Sequence, residues 1–308
     1  MPRARRAVAD FAVYLVVRLL VCVLQSLSLR AGLALADRLA WLAYHLDRRH
    51  RLVALDNFAQ AYPEMDEAGR DAAVRAIYRH CCRLVVEMLH MPRRLHVQRW
   101  PDFLEWPEPG RLLNALTSGR PLMLVTGHLG NWELGNFLLG LLGIRTSAIA
   151  RKLDNPHLHR FIKRFRVRTE QTILDKHTDY PRIQAVLAED GTLGVLADQD
   201  AGARGPFVPF FGRPASTTKA VALLALKNRA LIVVLGVQKV AEPFRYRLTV
   251  EDLIPPEEYS AHPDAVTAIT ARFTVALERM IRRHPEQYFW LHRRWKHQPA
   301  ARERKRAA

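Results

Sequence analysis

Cysteine is scarce in this chain, and two common enzyme motifs are missing. The 308 residues include only Cys22, Cys81 and Cys82, without Cys-x2-Cys spacing. An adjacent pair rarely forms a disulfide, so the sequence excludes a disulfide-stapled fold and indicates a reducing, cytoplasmic compartment. The chain also has no Gly-x-Ser-x-Gly elbow and no Walker loop, which argues against a serine hydrolase and a P-loop nucleotidase.

Acidic residues are in short supply too. Thirty Asp and Glu face 47 Lys and Arg, which gives a formal charge of +17 and a pI near 10.5. Such a charge calls for a polyanionic partner: anionic phospholipid, a phosphorylated lipid, an acidic carrier protein or nucleic acid. A nucleic-acid-binding protein should show basic residues alternating with exposed aromatics in a recognised module, and none is evident. We therefore expect no nucleic-acid partner.

The longest mostly apolar stretch lies at the N-terminus. Arg3, Arg5 and Arg6 precede Phe11 to Leu29, which carries Arg18 near its middle. This length is marginal for about 30 Å of hydrocarbon, and a central arginine costs about 2.5–3.5 kcal/mol on insertion scales. The sequence therefore leaves three possibilities for this helix: a full membrane span, a tilted or interfacial helix, and a buried amphipathic helix. The basic leader places this end in the cytoplasm.

Strand and helix patterns alternate through the rest of the chain. We predict an α/β fold with a central, mostly parallel sheet flanked by helices. The expected boundaries are N-terminal hydrophobic, membrane-associating helices over 1–47, a helical subregion over 48–110, the catalytic α/β domain over 111–298 and a basic, disordered tail over 299–308. The predicted strands are Leu122–Val125, Arg145–Ala150, Thr172–Leu174, Thr192–Ala197, Leu231–Val237 and Tyr246–Val250.

The first of these strands leads into the most informative loop. Leu122 to Val125 are continuously apolar, as in a strand buried on both faces. His128 follows between Gly127 and Gly130, two glycines that permit unusual backbone angles and close approach. Asn131 is typical of a helix N-cap, so we predict that His128 lies on a strand-to-helix turn, where α/β sheets carry their sites.

His128 and Glu133 have the spacing of a base and the group that orients it. Residues five apart on one helix point about 140° apart, so the pair can meet only if His128 is in the loop and Glu133 in the first helical turn. Glu133 can then hold one imidazole nitrogen while the other faces a substrate hydroxyl. A histidine that is merely satisfied at a strand end is the alternative.

Other polar pairs are weaker candidates. Asp198 and Asp200 end a predicted strand, but two acids without a phosphate-binding glycine loop argue poorly for a metal. His157 and His159 diverge on a predicted helix, so a zinc site is not expected. Phe207, Phe210 and Phe211 lie between Gly205 and Gly212 in a segment that we expect to be a loop. Their rings either line an acyl channel, touch lipid or belong to the core.

Four blocks, taken together, resemble a known family. They are Gly127-His128-Leu129-Gly130-Asn131-Trp132-Glu133-Leu134-Gly135, Asp198-Gln199-Asp200, Phe207 to Gly212 with Pro214 to Thr218, and Pro285 to Lys296. In this order they are similar to the lipid A biosynthesis (lauroyl/myristoyl) acyltransferases, within the lysophospholipid acyltransferase superfamily with its His-x4-Asp/Glu motif. The resemblance covers nearly the whole chain.

The resemblance implies a glycerolipid-acyltransferase-like fold and direct acyl transfer without a cofactor or metal. His128 would be the general base and Glu133 would orient it. Arg166 would hold a phosphate or the developing oxyanion, with Arg168 as the alternative because Glu170-Gln171 replaces a frequent Gly-Asn pair. Asp198 would pair with Arg166 or support it, and Asn131 is a further candidate for substrate contact.

The same resemblance implies the substrates and the location. The donor would be acyl-acyl carrier protein or acyl-CoA, and the acceptor a phosphorylated glycolipid precursor of lipid A in an anionic membrane. An acyl-CoA-dependent lysophospholipid or glycolipid acyltransferase is the second interpretation. The enzyme would lie at the bacterial inner membrane with its catalytic domain on the cytoplasmic side.

Overall fold

Four helices precede the sheet. The computed structural model describes residues 3–166, 171–175 and 178–299, so the tail predicted to be disordered lies almost wholly outside the described residues. The helices are α1 (Arg3–Ser26), α2 (Leu29–Leu46), α3 (Arg48–Ala61) and α4 (Glu67–Arg94). The side chains of Ser28, Asp47 and Asp66 each accept a hydrogen bond from the backbone N–H three residues on, which sets where α2, α3 and α4 begin.

The first helix presents apolar side chains outwards. Within the described residues, the stretch Ala7–Ser26 of α1 is the one helical segment long and apolar enough to cross a membrane. Val8, Val16 and Leu19 are each about two thirds exposed or more. A core helix would bury such residues, so this face of α1 is available to something other than the protein's own core.

Seven described strands form one sheet in the order β1-β9-β8-β2-β5-β3-β4, and two more form a hairpin. All neighbours in the sheet are parallel except β8 and β9. The sheet strands are β1 (Leu104–Glu105), β2 (Leu122–Thr126), β3 (Ser147–Ala150), β4 (Thr172–Asp175), β5 (Thr192–Leu196), β8 (Leu231–Ala241) and β9 (Arg245–Ile254), and β6 (Phe207–Phe210) pairs with β7 (Arg213–Ser216).

The remaining helices cover the sheet on two faces. They are α5 (Pro109–Leu116), α6 (Trp132–Leu141), α7 (Pro156–Arg166), α8 (Tyr180–Ala188), α9 (Ala220–Asn228) and α10 (Ala265–Arg283), with short 3₁₀ turns at Val97–Asp102, Pro256–Tyr259 and Pro285–Gln287. Alternate residues of β2 serve the two faces: Met123 and Val125 pack in the core with α9 and α10, and Leu122 and Leu124 in the core with α5 and α6. Burial on both faces explains the unbroken apolar run of β2.

The predicted fold class is confirmed, with two local differences: β1 lies within the subregion predicted to be helical, and the aromatic segment is not a loop. The α/β order, the mostly parallel sheet and the N-terminal apolar helix are all present. The aromatic segment expected as a loop forms the hairpin of β6 and β7 instead. Phe210 is buried against Trp295 and Phe211 against Trp290. Of the three environments expected for the aromatic rings, these two therefore occupy the core. The hairpin also packs against α10, where Glu278 accepts a hydrogen bond from the backbone N–H of Phe211.

Candidate active site

The register of two neighbouring strands brings His128 to Asp198. β2 and β5 run parallel with Leu122 opposite Thr192 and Thr126 opposite Leu196. Two residues beyond each strand, the same offset places His128 beside Asp198. The Nδ1 atom of His128 lies 2.9 Å from Asp198 Oδ1, and the backbone N–H of His128 donates to Oδ2 at 2.9 Å. The carboxylate therefore holds the imidazole and the loop that carries it.

Two glycines make this close approach possible. A Cβ at Gly127 would lie 3.2 Å from the Cβ and Cγ of Asp198, so a side chain there would push the carboxylate away. Gly130 has a φ of +58°, and a Cβ there would lie 2.1 Å from the carbonyl oxygen of Val237. Only glycine fits that position, because its backbone angle and its space both exclude a side chain.

The hydrogen bond to Asp198 leaves the outer nitrogen of His128 unpaired. Burial opposes protonation of the imidazole, but the charge and hydrogen bond of Asp198, with the charge of Glu133, raise the pKa of His128 above its usual value. Burial also opposes ionisation of Asp198, yet its contacts with His128 hold the pKa of that carboxyl well below its usual range. Among the described residues none bonds Nε2, so this atom is free to take a proton from a substrate.

Glu133 is bound to Arg166. It lies in the first turn of α6 and is 7% exposed. Arg166 Nε donates to both carboxylate oxygens at 3.1 Å, and Nη2 donates to Oε1. The guanidinium reaches across from the end of α7, and its side chain is 27% exposed. No described group accepts a hydrogen bond from Nη1, which leaves donors for an anionic ligand.

The two carboxylates have exchanged the partners expected from sequence. We expected Glu133 to orient His128 and Asp198 to pair with Arg166. Instead Asp198 accepts the hydrogen bond from His128, and Glu133 binds Arg166. The physical reason is that the β2–β5 register fixes Asp198 next to the imidazole, whereas the helical turn directs Glu133 towards α7. Glu133 acts on His128 through its charge.

A mostly apolar cavity of about 110 Å³ opens next to these groups. One water needs at least about 10–15 Å³ of such space, so the cavity has room for a chain of several carbon atoms. It lies between α6 and the sheet, with Trp132, Glu133 and Arg166 at one end. The ring of Trp132 is 5.1 Å from that of His128. Further in, the walls are apolar or small: Leu124, Leu139, Ala148, Gly194, Leu196, Leu235 and Val237.

Comparison with known proteins identifies the family of the chain. The family model described as bacterial lipid A biosynthesis acyltransferase matches residues 3–297. The chain belongs to that family. The acyltransferase is 27% identical over 270 residues to the lipid A biosynthesis palmitoleoyltransferase of Escherichia coli (strain K12), covering 86% of this chain and 85% of that protein.

Two further relatives agree. The acyltransferase is 28% identical over 265 residues to the lipid A biosynthesis lauroyltransferase of the same strain, with 84% of this chain and 83% of that protein covered. It is 26% identical over 270 residues to the lipid A biosynthesis acyltransferase of Haemophilus influenzae, with 84% and 82% covered. The predicted family and the predicted enzyme class are thus confirmed.

Asn131 supports the loop that carries His128 from within the protein. Its Oδ1 accepts from the N–H of Leu134, as predicted for an N-cap, and its Nδ2 lies 3.4 Å from the hydroxyl of Tyr246. Asn131 is 1% exposed, so its amide is engaged inside the protein and does not face the cavity. The substrate contact expected of it stays a prediction.

A buried ion pair beneath this loop was missed by sequence reasoning. Glu87 of α4 accepts hydrogen bonds from Lys239 and Tyr246, and His80 Nε2 lies 3.2 Å from the carbonyl oxygen of Gly130. Burial dominates and raises the pKa of Glu87 despite its two donors. One signal in the sequence could have predicted this pair. Glu87 is a single acid within an apolar helical stretch, and a lone buried charge needs a partner.

The remaining candidate residues either have partners elsewhere in the fold or lie outside the described residues. Asp200 accepts a hydrogen bond from His297 Nδ1 at 2.7 Å. Arg294 is buried and donates to Ser216 and Thr217, so this part of the C-terminal block supports the fold. No group of three or more His, Cys, Asp or Glu suited to a metal occurs among the described residues. Arg168 lies outside them.

Proposed function

We propose that this acyltransferase moves a fatty acyl chain from an acyl thioester to a hydroxyl of a lipid A precursor. The observation that carries the proposal is the free Nε2 of His128, held by Asp198 beside an apolar cavity with an arginine at its end. Acyl transfer to a hydroxyl is promoted by a base, an acyl site and a hydrogen-bond donor near the developing negative charge, and an arginine can be that donor. The lipid A biosynthesis names of the relatives support this acceptor.

The reaction needs one proton carrier and no covalent enzyme intermediate. His128 Nε2 removes the hydroxyl proton as the hydroxyl oxygen attacks the thioester carbonyl carbon, and the carbonyl electron pair moves to an oxyanion. The oxyanion then re-forms the carbonyl as the carbon–sulfur bond breaks, and His128 returns the proton to the thiolate. Asp198 stabilises the imidazolium present between the two steps, as a buried carboxylate does in triad enzymes.

Arg166, held in place by Glu133, stabilises the negative charge of the oxyanion or of a substrate phosphate. The three hydrogen bonds to Glu133 fix the guanidinium in one orientation at the end of the cavity, and the Nη1 donors are directed to the oxyanion or to a substrate phosphate. A fixed donor costs no reorganisation when the charge develops. Glu133 is thus a positioning residue for Arg166, which revises the role expected of it from sequence.

Membrane association follows from the same proposal. The acceptor is a lipid, and the exposed apolar face of α1 suits a lipid environment. The excess of positive charge favours an anionic surface on the cytoplasmic side. We infer acyl carrier protein as the donor, since an acidic carrier protein complements a chain of this charge. The phosphates of CoA complement it too, so the assay compares both donors.

Purified protein in neutral detergent tests the proposal. It is offered radiolabelled acyl thioesters of acyl carrier protein or CoA with a lipid A precursor or a lysophospholipid. Label should pass from the carrier protein donor to the lipid A precursor. Arg166→Ala should lower the rate about tenfold, the worth of a charge-assisted hydrogen bond. Arg168→Ala should lower it less.

Each other outcome has a defined meaning. Transfer to a lysophospholipid from CoA alone would replace the proposed substrates with those of the second interpretation. No transfer with any pair, together with tight nucleic-acid binding at physiological salt, would overturn the function. A larger effect of Arg168→Ala would move the anion-binding role to that residue.

Asp198→Asn should move the pH profile of the acyltransferase. Asp198 raises the pKa of His128, so wild-type kcat/KM should rise with pH as His128 loses its proton, with a midpoint above about 6.5. Removing the charge lowers that pKa, and the rising limb should shift to lower pH while the maximum rate falls. The rate profiles and an NMR titration of His128 measure this. An unmoved limb would mean that Asp198 does not control the protonation of His128.

A further inference from the structure

A second cavity, with a mostly polar lining, lies on the other side of α7. It is a groove of about 630 Å³ between α1, α4 and α7, and Arg18, Arg160 and Arg164 line it together with Tyr14 and His157. We call these three arginines and the space between them the arginine groove. It is separate from the cavity beside His128, since the two share no lining residue.

Specific contacts build the arginine groove. The ring of His157 packs 5.3 Å from that of Phe11 on α1, and the guanidinium of Arg18 lies 4.9 Å above the ring of Phe161 on α7. Asn155 donates to the carbonyl oxygen of Asp10 at 2.7 Å. These contacts attach α1 to α7 and hold Arg18 opposite the two arginines of α7.

The charges in the groove are uncompensated. Arg160 and Arg164 are four residues apart on α7 and therefore project from the same side, which destabilises a helix when the charges are alike. Within the described ranges, none of the three arginines pairs with a carboxylate, and Asp154 is engaged by Arg151. Asp10 lies eight residues from Arg18, about 12 Å along α1.

The surroundings indicate a lipid that carries phosphate. The groove borders α1, whose exposed apolar side chains include Val16, Leu19 and Leu20. Clustered guanidiniums suit phosphate oxygens, and the apolar helix suits acyl chains. A soluble anion would use only the first feature, whereas a phosphorylated lipid uses both.

The groove is also linked to the catalytic centre. Arg164 and Arg166 are two residues apart on α7, so they point about 160° apart, towards opposite sides of one helix. Arg166 faces Glu133 at the end of the cavity beside His128. A headgroup with its phosphate in the groove would thus begin about one helix diameter, roughly 10 Å, from the catalytic groups.

We propose that the arginine groove binds a phosphate of the acceptor lipid and thereby places the acceptor hydroxyl at His128. This inference rests on the proposed function and assigns the acceptor a second anchoring point on the protein. The groove predicts preference for a phosphorylated acceptor over the same lipid without phosphate. It concerns the acceptor alone and leaves binding of the acyl donor unaffected.

Steady-state kinetics in neutral detergent micelles test the proposal, because such micelles offer no anionic surface. Arg160→Gln and Arg164→Gln should each raise the KM for a phosphorylated acceptor about tenfold, with little change in kcat or in the donor KM. Both arginines are exposed, so the variants should fold normally. Lys227→Gln removes one exposed charge at the end of α9, which packs on β2 and α10, and should match wild type.

The acceptor without its phosphate completes the test. Wild type should bind this unphosphorylated acceptor about as weakly as the double variant Arg160→Gln/Arg164→Gln binds the phosphorylated one. With the unphosphorylated acceptor, the variants and wild type should have the same KM. If wild type transfers acyl groups and the variants keep its KM for the phosphorylated acceptor, the groove does not hold that phosphate. Variants that lose only binding to phosphatidylglycerol vesicles would assign the groove to bulk lipid instead. Absence of transfer by wild type would contradict the proposed function itself.

Discussion

His128→Ala should lower the rate of acyl transfer by about two to four orders of magnitude, the usual contribution of a general base. The free nitrogen of His128 lies next to the cavity. Removing the imidazole also removes the side-chain hydrogen bond that His128 makes to Asp198. The loop should keep its shape, because Gly130 and Asn131 donate backbone hydrogen bonds to Gln287 and Val237. Initial rates with saturating substrates measure the loss.

The control for this variant is a histidine of the same chain far from the loop. His96 is exposed before a 3₁₀ turn and makes no capping hydrogen bond, so His96→Ala should retain wild-type rate. Thermal unfolding distinguishes a chemical loss from a structural one, since the buried carboxylate of Asp198 loses one partner in His128→Ala. Wild-type turnover by folded His128→Ala would exclude this histidine from the mechanism.

The sequence was sufficient to predict the place of His128 but not its partner. An apolar run, two glycines and a capping residue are local signals, and each of them reports the turn between β2 and α6. The contact with Asp198 depends on the register of β2 and β5, which are separated by a long segment of chain. Register between distant parallel strands is set by packing of the whole sheet and has no local signature.

The same limit explains the exchange of carboxylate partners. Glu133 is close to His128 in sequence, so local reasoning joins them, whereas Arg166 reaches Glu133 only because α7 packs beside α6. The hairpin of β6 and β7 was missed for another reason. Pro209 and Pro214 argue against strands in a sheet interior, but this hairpin has only two strands and tolerates them at its edges.

The row of cavity residues that contains Gly194 and Ala148 should set the length of the acyl chain that the enzyme accepts. Leu124, Gly194 and Ala148 are neighbours across β2, β5 and β3, and all three line the cavity. Thr126 and Leu196 form the last row before the carboxyl ends of β2 and β5, where His128 and Asp198 lie. The row of Leu124, Gly194 and Ala148 lies two residues, about 6.6 Å, further from those ends. A Cβ on Gly194 would have its nearest neighbours at 3.9 Å, so it fits there, and because Gly194 lines the cavity a longer side chain would extend into it.

Gly194→Leu should therefore shift the preference of the enzyme to shorter acyl donors. Leucine would fill space otherwise open to about four carbons, and each buried methylene contributes about 0.8 kcal/mol. The ratio of kcat/KM for long over short donors should fall by about two orders of magnitude, close to 3 kcal/mol. Gly194→Ala should produce a smaller shift in the same direction. Competition between acyl donors of graded length, with mass spectrometry of the lipid product, measures both ratios.

A matched glycine separates loss of cavity space from a general effect of added volume. Gly110 lies exposed at the start of α5, and a Cβ added there would meet nothing within 4 Å, so Gly110→Leu should keep the wild-type chain-length profile. Overfilling a packed interior costs about 1–3 kcal/mol of stability, which a thermal unfolding curve of Gly194→Leu detects. A folded Gly194→Leu enzyme that lowers transfer of all chain lengths equally would show that the acyl chain lies elsewhere. An unchanged profile at full rate would show the same, because leucine at 194 leaves no room for a long chain in this cavity.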